Sequence, residues 1–215
     1  MSTGMPPVVS SLAAPGNQAR PLVLVGCGIL HKEVDYLIKK NGWNVETRFL
    51  DSALHNYLAK LESQLNTALA QSEGQGRDAV VFYGCCHPRM EDILERHHTL
   101  RTRGQNCIVM LIGYEAFMRE LEQGAYFLLE DWALTWEPMI TQCFGKNLGV
   151  VREIFHSSHK YITAIRTPRS GEFAAAAEAA AAFVDLPLRW MDSDLSHLED
   201  VLADAIERKQ LTSLP

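Results

Sequence analysis

The sequence predicts an α/β protein in which a mostly parallel sheet is flanked by helices in the doubly wound manner, with a candidate site at the carboxyl edge of the strands. Three observations carry that reading. Short runs such as Pro21 to Val25 and Asp78 to Tyr83 have the length and composition of buried strands. Between them lie stretches whose apolar residues recur three and four apart, the spacing of a helix that covers a sheet. The two kinds of segment alternate along the chain, and such strands pair in parallel.

The first strand, Pro21 to Val25, closes in the turn Gly26-Cys27-Gly28, and a helix containing Glu33, Tyr36, Leu37 and Lys40 follows and stops at Asn41-Gly42. A second strand over Asn44 to Leu50 runs into Asp51-Ser52. An amphipathic helix then starts near His55, with Leu58, Leu61, Leu65 and Leu69 on one face, and ends before a polar loop from Gln71 to Arg77. Asp78 to Tyr83 is the third strand, leading into Gly84-Cys85-Cys86-His87-Pro88. Met90 to Arg96 is a short helix, and Thr99 to Thr102 a fourth strand.

Cys107 to Gly113 has the composition of a buried strand, but Cys107, Met110, Leu111, Tyr114, Met118 and Leu121 follow helical steps. Asn106 is a suitable N-cap and Gly124 a suitable stop. Further strands are expected at Ala125 to Leu129, Lys160 to Arg166 and Leu188 to Met191. Further helices are expected over Trp132 to Phe144, Ser170 to Val184 and Leu195 to Lys209. Residues 1–20, rich in Pro, Gly, Ser and Ala, read as a loose tail. Residues 21–215 read as one domain, with a two-lobe division near 145 as the alternative.

With 215 residues and 47% hydrophobic content, the chain is long and apolar enough to bury a core. A net charge of -6 and the lack of a dense Lys/Arg run give no footprint for nucleic acid or anionic membrane. No export signal and no window of bilayer-spanning length stand out, so a cytoplasmic location is expected. Nothing in the sequence specifies an oligomeric state. Five cysteines, an odd number, argue for thiolate or metal chemistry rather than a disulfide framework.

Ligands of a parallel sheet bind where loops leave the carboxyl ends of its strands. Cys27, Cys86 and Cys107 fall in such turn or cap positions, where free backbone N–H groups favour a thiolate. They are the candidate metal ligands, for zinc or an iron–sulfur cluster. Cys85 and His87 are reserve ligands. His55 is a fourth ligand, a general acid/base, or a local hydrogen-bonding residue. Glu33 is a candidate catalytic or supporting carboxylate. Cys143 reads as a small hydrophobe. The pairs His97-His98 and His156-x-x-His159 have metal-like spacing but lie in polar stretches. Arg166 to Gly171 is a loop that could hold an anion.

The order Gly26-Cys27-Gly28 with Glu33, Leu54-His55-Asn56, Tyr83-Gly84-x-Cys86, Asn106-Cys107-Ile108 with Gly113, and Gly124-x-Tyr126 leading to Trp132 resembles the prokaryotic family called domain of unknown function 1638. The resemblance spans about residues 21 to 170. It carries the family's motif positions onto Cys27, His55, Cys86 and Cys107. This chain departs from the pattern at His87, where the family has Gly, and at Asn106, where it has Asp.

Members of that family often lie beside corrinoid-dependent methyltransferases. The resemblance therefore implies one-carbon transfer on a small-molecule substrate, with a corrinoid protein or methyltransferase as partner and corrinoid reached through that partner. Three readings remain open on sequence alone: a metal-dependent transferase, an accessory carrier that delivers a metal or corrinoid, and a metal-free enzyme with Cys86 as nucleophile.

Overall fold

Strand β1 (Leu22–Cys27) is buried along nearly its whole length because it lies between two parallel neighbours, β2 (Val45–Leu50) and β3 (Ala79–Phe82). A short β4 (Leu100–Arg101) completes the order β2-β1-β3-β4. A second all-parallel sheet is built from β5 (Ala125–Leu128), β6 (Tyr161–Arg166) and β7 (Leu188–Asp192), in that order. The computed structural model describes residues 22–212, so the tail expected over residues 1–20 lies outside the described residues.

The α/β class is as the alternation predicts, but the strands form two sheets. The change of sheet falls between β4 and β5, upstream of residue 145. β4 is only two residues long, and its outer edge is taken up by other groups. Arg208 donates to the Arg101 carbonyl at 3.0 Å and Lys209 to the His98 carbonyl at 3.0 Å. A strand edge capped by side chains offers no ladder for a fifth strand.

Side-chain alternation along β1 sends Leu24 to one face and Val23 and Val25 to the other. Helix α1 (His31–Asn41) covers the first face through Val34 and Leu37. Helices α2 (Leu58–Gly74) and α3 (Met90–Arg96) cover the second through Leu61, Leu65, Leu69 and Ile93. The first turn after β2 is a 3-10 turn, Ser52–Asn56, and α2 starts after it. It continues to Gly74, into the stretch that composition had marked as loop.

The helical run beginning at Cys107 is two helices, α4 (Cys107–Ile112) and α5 (Tyr114–Glu122). Gly113, at φ 82°, turns the chain between them. Around the second sheet lie α6 (Glu130–Leu134), α7 (Trp136–Phe144), α8 (Leu148–Ser158) and α9 (Ala174–Val184). α8 has no counterpart among the sequence expectations. Its apolar residues Leu148, Val150 and Ile154 are exposed, which blurs the amphipathic pattern, but Asn147 caps it by accepting from the Gly149 and Val150 amides. α9 starts four residues after the Ser170 expected from the Ser-Gly turn.

The last helix, α10 (Ser196–Thr212), ties the halves together. Leu198 and Leu202 share one core with Leu24 and Phe82 of the first sheet and with Phe127 and Ile165 of the second. Leu202 is fully buried there. Leu202→Ala is expected to cost about 2–5 kcal/mol, read from urea denaturation. Because the core is common to both sheets, fluorescence and far-UV circular dichroism should report one coincident transition. Two separated transitions would contradict it.

Candidate functional site

The order β2-β1-β3-β4 contains a reversal. The chain leaves β1 for β2 on one side and later returns past β1 to β3 on the other. The loop after β1 therefore leads to α1 on one face of the sheet, and the loop after β3 leads to α3 on the opposite face. Such parting loops leave a crevice at the carboxyl ends of the two strands, the usual ligand position in open α/β sheets. Cys27 ends β1, and Cys86 lies in the loop after β3.

Cys107 reaches the same place from the exit of β4. Asn106 caps α4 by accepting from the Val109 amide at 2.8 Å, which fixes Cys107 as the first residue of the helix. The loop carrying Cys86 is locked to this segment. Cys85 donates its amide to the Gln105 carbonyl at 2.7 Å, and Gly84 presses so closely that a methyl group there would stand 2.2 Å from the Gln105 oxygen. Only glycine permits that approach.

Cys27, Cys86, Cys107 and His55 all line one cavity of about 300 Å³. Trp132, from α6, which follows β5 of the second sheet, also lines it, so elements of both halves of the chain contribute to the walls. A larger surface groove of about 1010 Å³ meets it at Cys85 and Gln105.

The cysteines are electrostatically aware of each other. Burial pushes the Cys27 thiol up to about 12, and Cys86 adds to the effect. Cys107 is pushed up by burial and then by Cys27 and Cys86. Burial also raises Cys86, partly opposed by a backbone hydrogen bond and by the Arg101 guanidinium. Among the described residues, no three His, Cys, Asp or Glu side chains are drawn together as a formed ligand set. The thiols share a cavity wall without converging on one point.

His55 presents a defined tautomer. Its Nδ1 lies 2.8 Å from the Ser52 carbonyl, which can only accept, so Nδ1 carries the proton and the neutral ring keeps its lone pair on Nε2. The ring packs edge-on against Trp132 at 6.2 Å.

The other candidates stand elsewhere. Cys85 is exposed, and its sulfur accepts from Arg101 at 3.5 Å. His87 is buried, but its Nδ1 accepts the Arg89 amide at 3.1 Å, so its lone pair is spent on the backbone and it does not line the cavity. Glu33 is buried in a separate small cavity, where it accepts from the Thr167 hydroxyl at 2.6 Å.

The two histidine pairs do not line the cavity either. His97 bonds Glu73 and Asn66, His156 bonds the Val184 and Asp185 carbonyls, and His159 packs against Tyr126. In the Arg166 to Gly171 loop, Arg166 is paired with Asp192. Cys143 is exposed near the end of α7.

Sequence reasoning gave no role to Tyr83 and Trp132, both of which line the cavity. The Tyr83 hydroxyl and the Trp132 indole N–H are buried and have no hydrogen-bond partner among the described residues. Burial raises the Tyr83 phenol, and so do Cys27 and Cys86. The available signal was a tyrosine at the carboxyl end of a buried strand, since a buried phenol normally finds a partner.

A family model described as protein of unknown function (DUF1638) matches residues 49–202, more than two thirds of the chain. The chain belongs to the DUF1638 family. The matched stretch takes in His55, Cys86, Cys107 and Trp132 and begins after Cys27. No curated protein and no solved structure matches this DUF1638 chain. Among the described residues, no helix is long and apolar enough to cross a membrane.

Gly84→Ala is expected to lose about 1–3 kcal/mol through overpacking in urea denaturation, whereas Gly74→Ala, where the added methyl meets nothing, should not be destabilised. Equal stability of the two variants would contradict the tight loop contact. In metal-free folded protein near neutral pH, iodoacetamide should modify exposed Cys85 and Cys143 first and Cys27 and Cys107 last, because a thiol raised by burial holds little thiolate. Mass spectrometry showing Cys107 labelled ahead of Cys85 would contradict this.

Proposed function

We propose that this DUF1638 chain is a metal-dependent enzyme in which Cys27, Cys86 and Cys107 hold zinc or an iron–sulfur cluster, and that it acts in one-carbon transfer on a small molecule. The observation that carries the proposal is the presence of all three thiols on the walls of one cavity at the strand reversal. The donor types, though not their present spacing, suit such a centre. Three soft sulfur ligands with a histidine lone pair nearby suit zinc, and three cysteines can also hold a cluster with one iron open. A bound metal supplies Lewis acidity or an open coordination position for substrate.

The chain's own residues supply the rest. In a site without a cation all three thiols are held protonated, which suits neither a free nucleophile nor an unassisted thiolate. A cation is the natural group to reverse that preference, and for this reason a metal centre is favoured over a metal-free Cys86 nucleophile. Arg101 already acts in that direction at Cys86. His55, with Nδ1–H anchored on Ser52, offers Nε2 as a fourth ligand or as the acid/base that moves a proton at the cavity.

The one-carbon part of the reading rests on the family resemblance, which also suggests a corrinoid protein or corrinoid-dependent methyltransferase as partner. Elemental analysis with a visible spectrum on anaerobically purified protein tests the metal. Iron with sulfide and brown colour identifies a cluster, and about one zinc in colourless protein identifies a mononuclear site. Cys27→Ser, Cys86→Ser and Cys107→Ser should each lower the metal content, while Cys143→Ser should not. No metal in the native protein, or full retention in all three variants, overturns the proposal. Turnover with methylcobalamin or a methylated amine supports the enzyme, and stoichiometric cofactor transfer without turnover supports a carrier instead.

A further inference from the structure

Helix α5 is amphipathic, yet none of its residues is fully buried. One side of it is held by the second sheet: Phe117 stacks on Phe127 at 5.1 Å, and Glu120 accepts from the Tyr161 hydroxyl at 3.1 Å. Tyr114, Met118 and Leu121, spaced i, i+4 and i+7, form an apolar stripe next to Phe117. Its two ends are open, with Tyr114 55% and Leu121 41% exposed.

One residue further along at each step run Glu115, Arg119 and Glu122. Their side chains make no hydrogen bond or ion pair among the described residues. Arg119 borders a groove that also holds Asp192 and Asp194, but Asp192 is paired with Arg166, and Asp194 accepts from the Ser196 amide and hydroxyl. A solvated face accounts for a row of charges, but not for an aligned apolar stripe beside it.

We infer that this face docks a second copy of the chain, α5 against α5, antiparallel about a two-fold axis. Tyr114 then lies against Leu121 of the second copy and Leu121 against its Tyr114, with Met118 near the axis. The charged row faces its own copy, and the same register sets Glu115 opposite Arg119 of the second copy and Arg119 opposite its Glu115. One sequence supplies both members of each pair, the self-complementarity that a two-fold contact needs. α8 also exposes Leu148, Val150 and Ile154, but its Arg152 is spent on the Phe183 and Ala182 carbonyls, which leaves Glu153 no cation of that helix to meet. A contact centred on one nine-residue helix falls short of the roughly 800 Å² per partner of a stable complex, so the dimer is weak and depends on concentration. Tyr114 also lines the groove that meets the thiol cavity at Cys85 and Gln105, so the second copy stands beside that groove.

The inference is independent of the metal reading. Its test is sedimentation velocity of the full chain over a series from micromolar to near-millimolar concentration. The weight-average coefficient should rise from the value of one chain towards that of two and no further, because a two-fold contact closes. Leu121→Glu should abolish the rise, and Ile154→Glu on α8 should leave it. Glu115→Arg and Arg119→Glu should each weaken self-association about tenfold, since each turns two opposite-charge pairs into two like-charge pairs. An equimolar mixture of those two charge variants should regain it, since each chain then carries the charges that the other lacks.

A single-chain coefficient throughout, growth beyond two chains, a dimer that survives Leu121→Glu, or a mixture no more associated than its components overturns the inference. All four substituted positions are exposed, and far-UV circular dichroism checks that the variants keep the fold. The concentration series of the unsubstituted chain decides the matter even where a variant does not.

Discussion

β1 lies between β2 and β3, and the loops leaving β1 and β3 depart to opposite faces of the sheet. That divergence opens the crevice with Cys27 on one side and Cys86 on the other. The third cysteine depends on a second constraint, the close approach of Gly84 to the Gln105 carbonyl, which binds the β3 exit to the segment that starts α4. Without the reversal there is no crevice, and without the glycine contact Cys107 has no fixed relation to Cys86.

The same burial that gathers these thiols sets their chemistry. Desolvation disfavours the thiolate at all three, with Cys86 adding to it at Cys27, and Cys27 and Cys86 adding to it at Cys107. The Tyr83 phenol is raised by burial and then by Cys27 and Cys86. The cavity is therefore lined by thiols that favour their protonated form. His55 fits the arrangement because its backbone anchor decides which nitrogen keeps a lone pair.

Much of the fold was legible locally. The apolar run of β1, the stop of α1 at Gly42, the whole of α3 and the Asn106 cap of α4 follow from short-range patterns that tertiary contacts did not override. α8 was not legible because its exposed Leu148, Val150 and Ile154 break the usual division of a helix into apolar and polar faces. The split into two sheets was not legible either. The edge of the first sheet at β4 is occupied from far along the chain, where Arg208 of α10 donates to the Arg101 carbonyl and Lys209 to the His98 carbonyl just before the strand.

The sequence by itself determined the alternation of strands and helices and the placing of Cys27, Cys86 and Cys107 in turns and caps, because those are properties of a few neighbouring residues. Membership of one cavity is a matter of strand order and of packing across two sheets, which no local pattern encodes. Tertiary structure alone brought His55 and Trp132 together, left the Tyr83 hydroxyl without a partner among the described residues, and set Glu33 and His87 apart from the cysteines. Each of those outcomes follows from what the side chain meets after folding, and the partners come from elements distant in the chain.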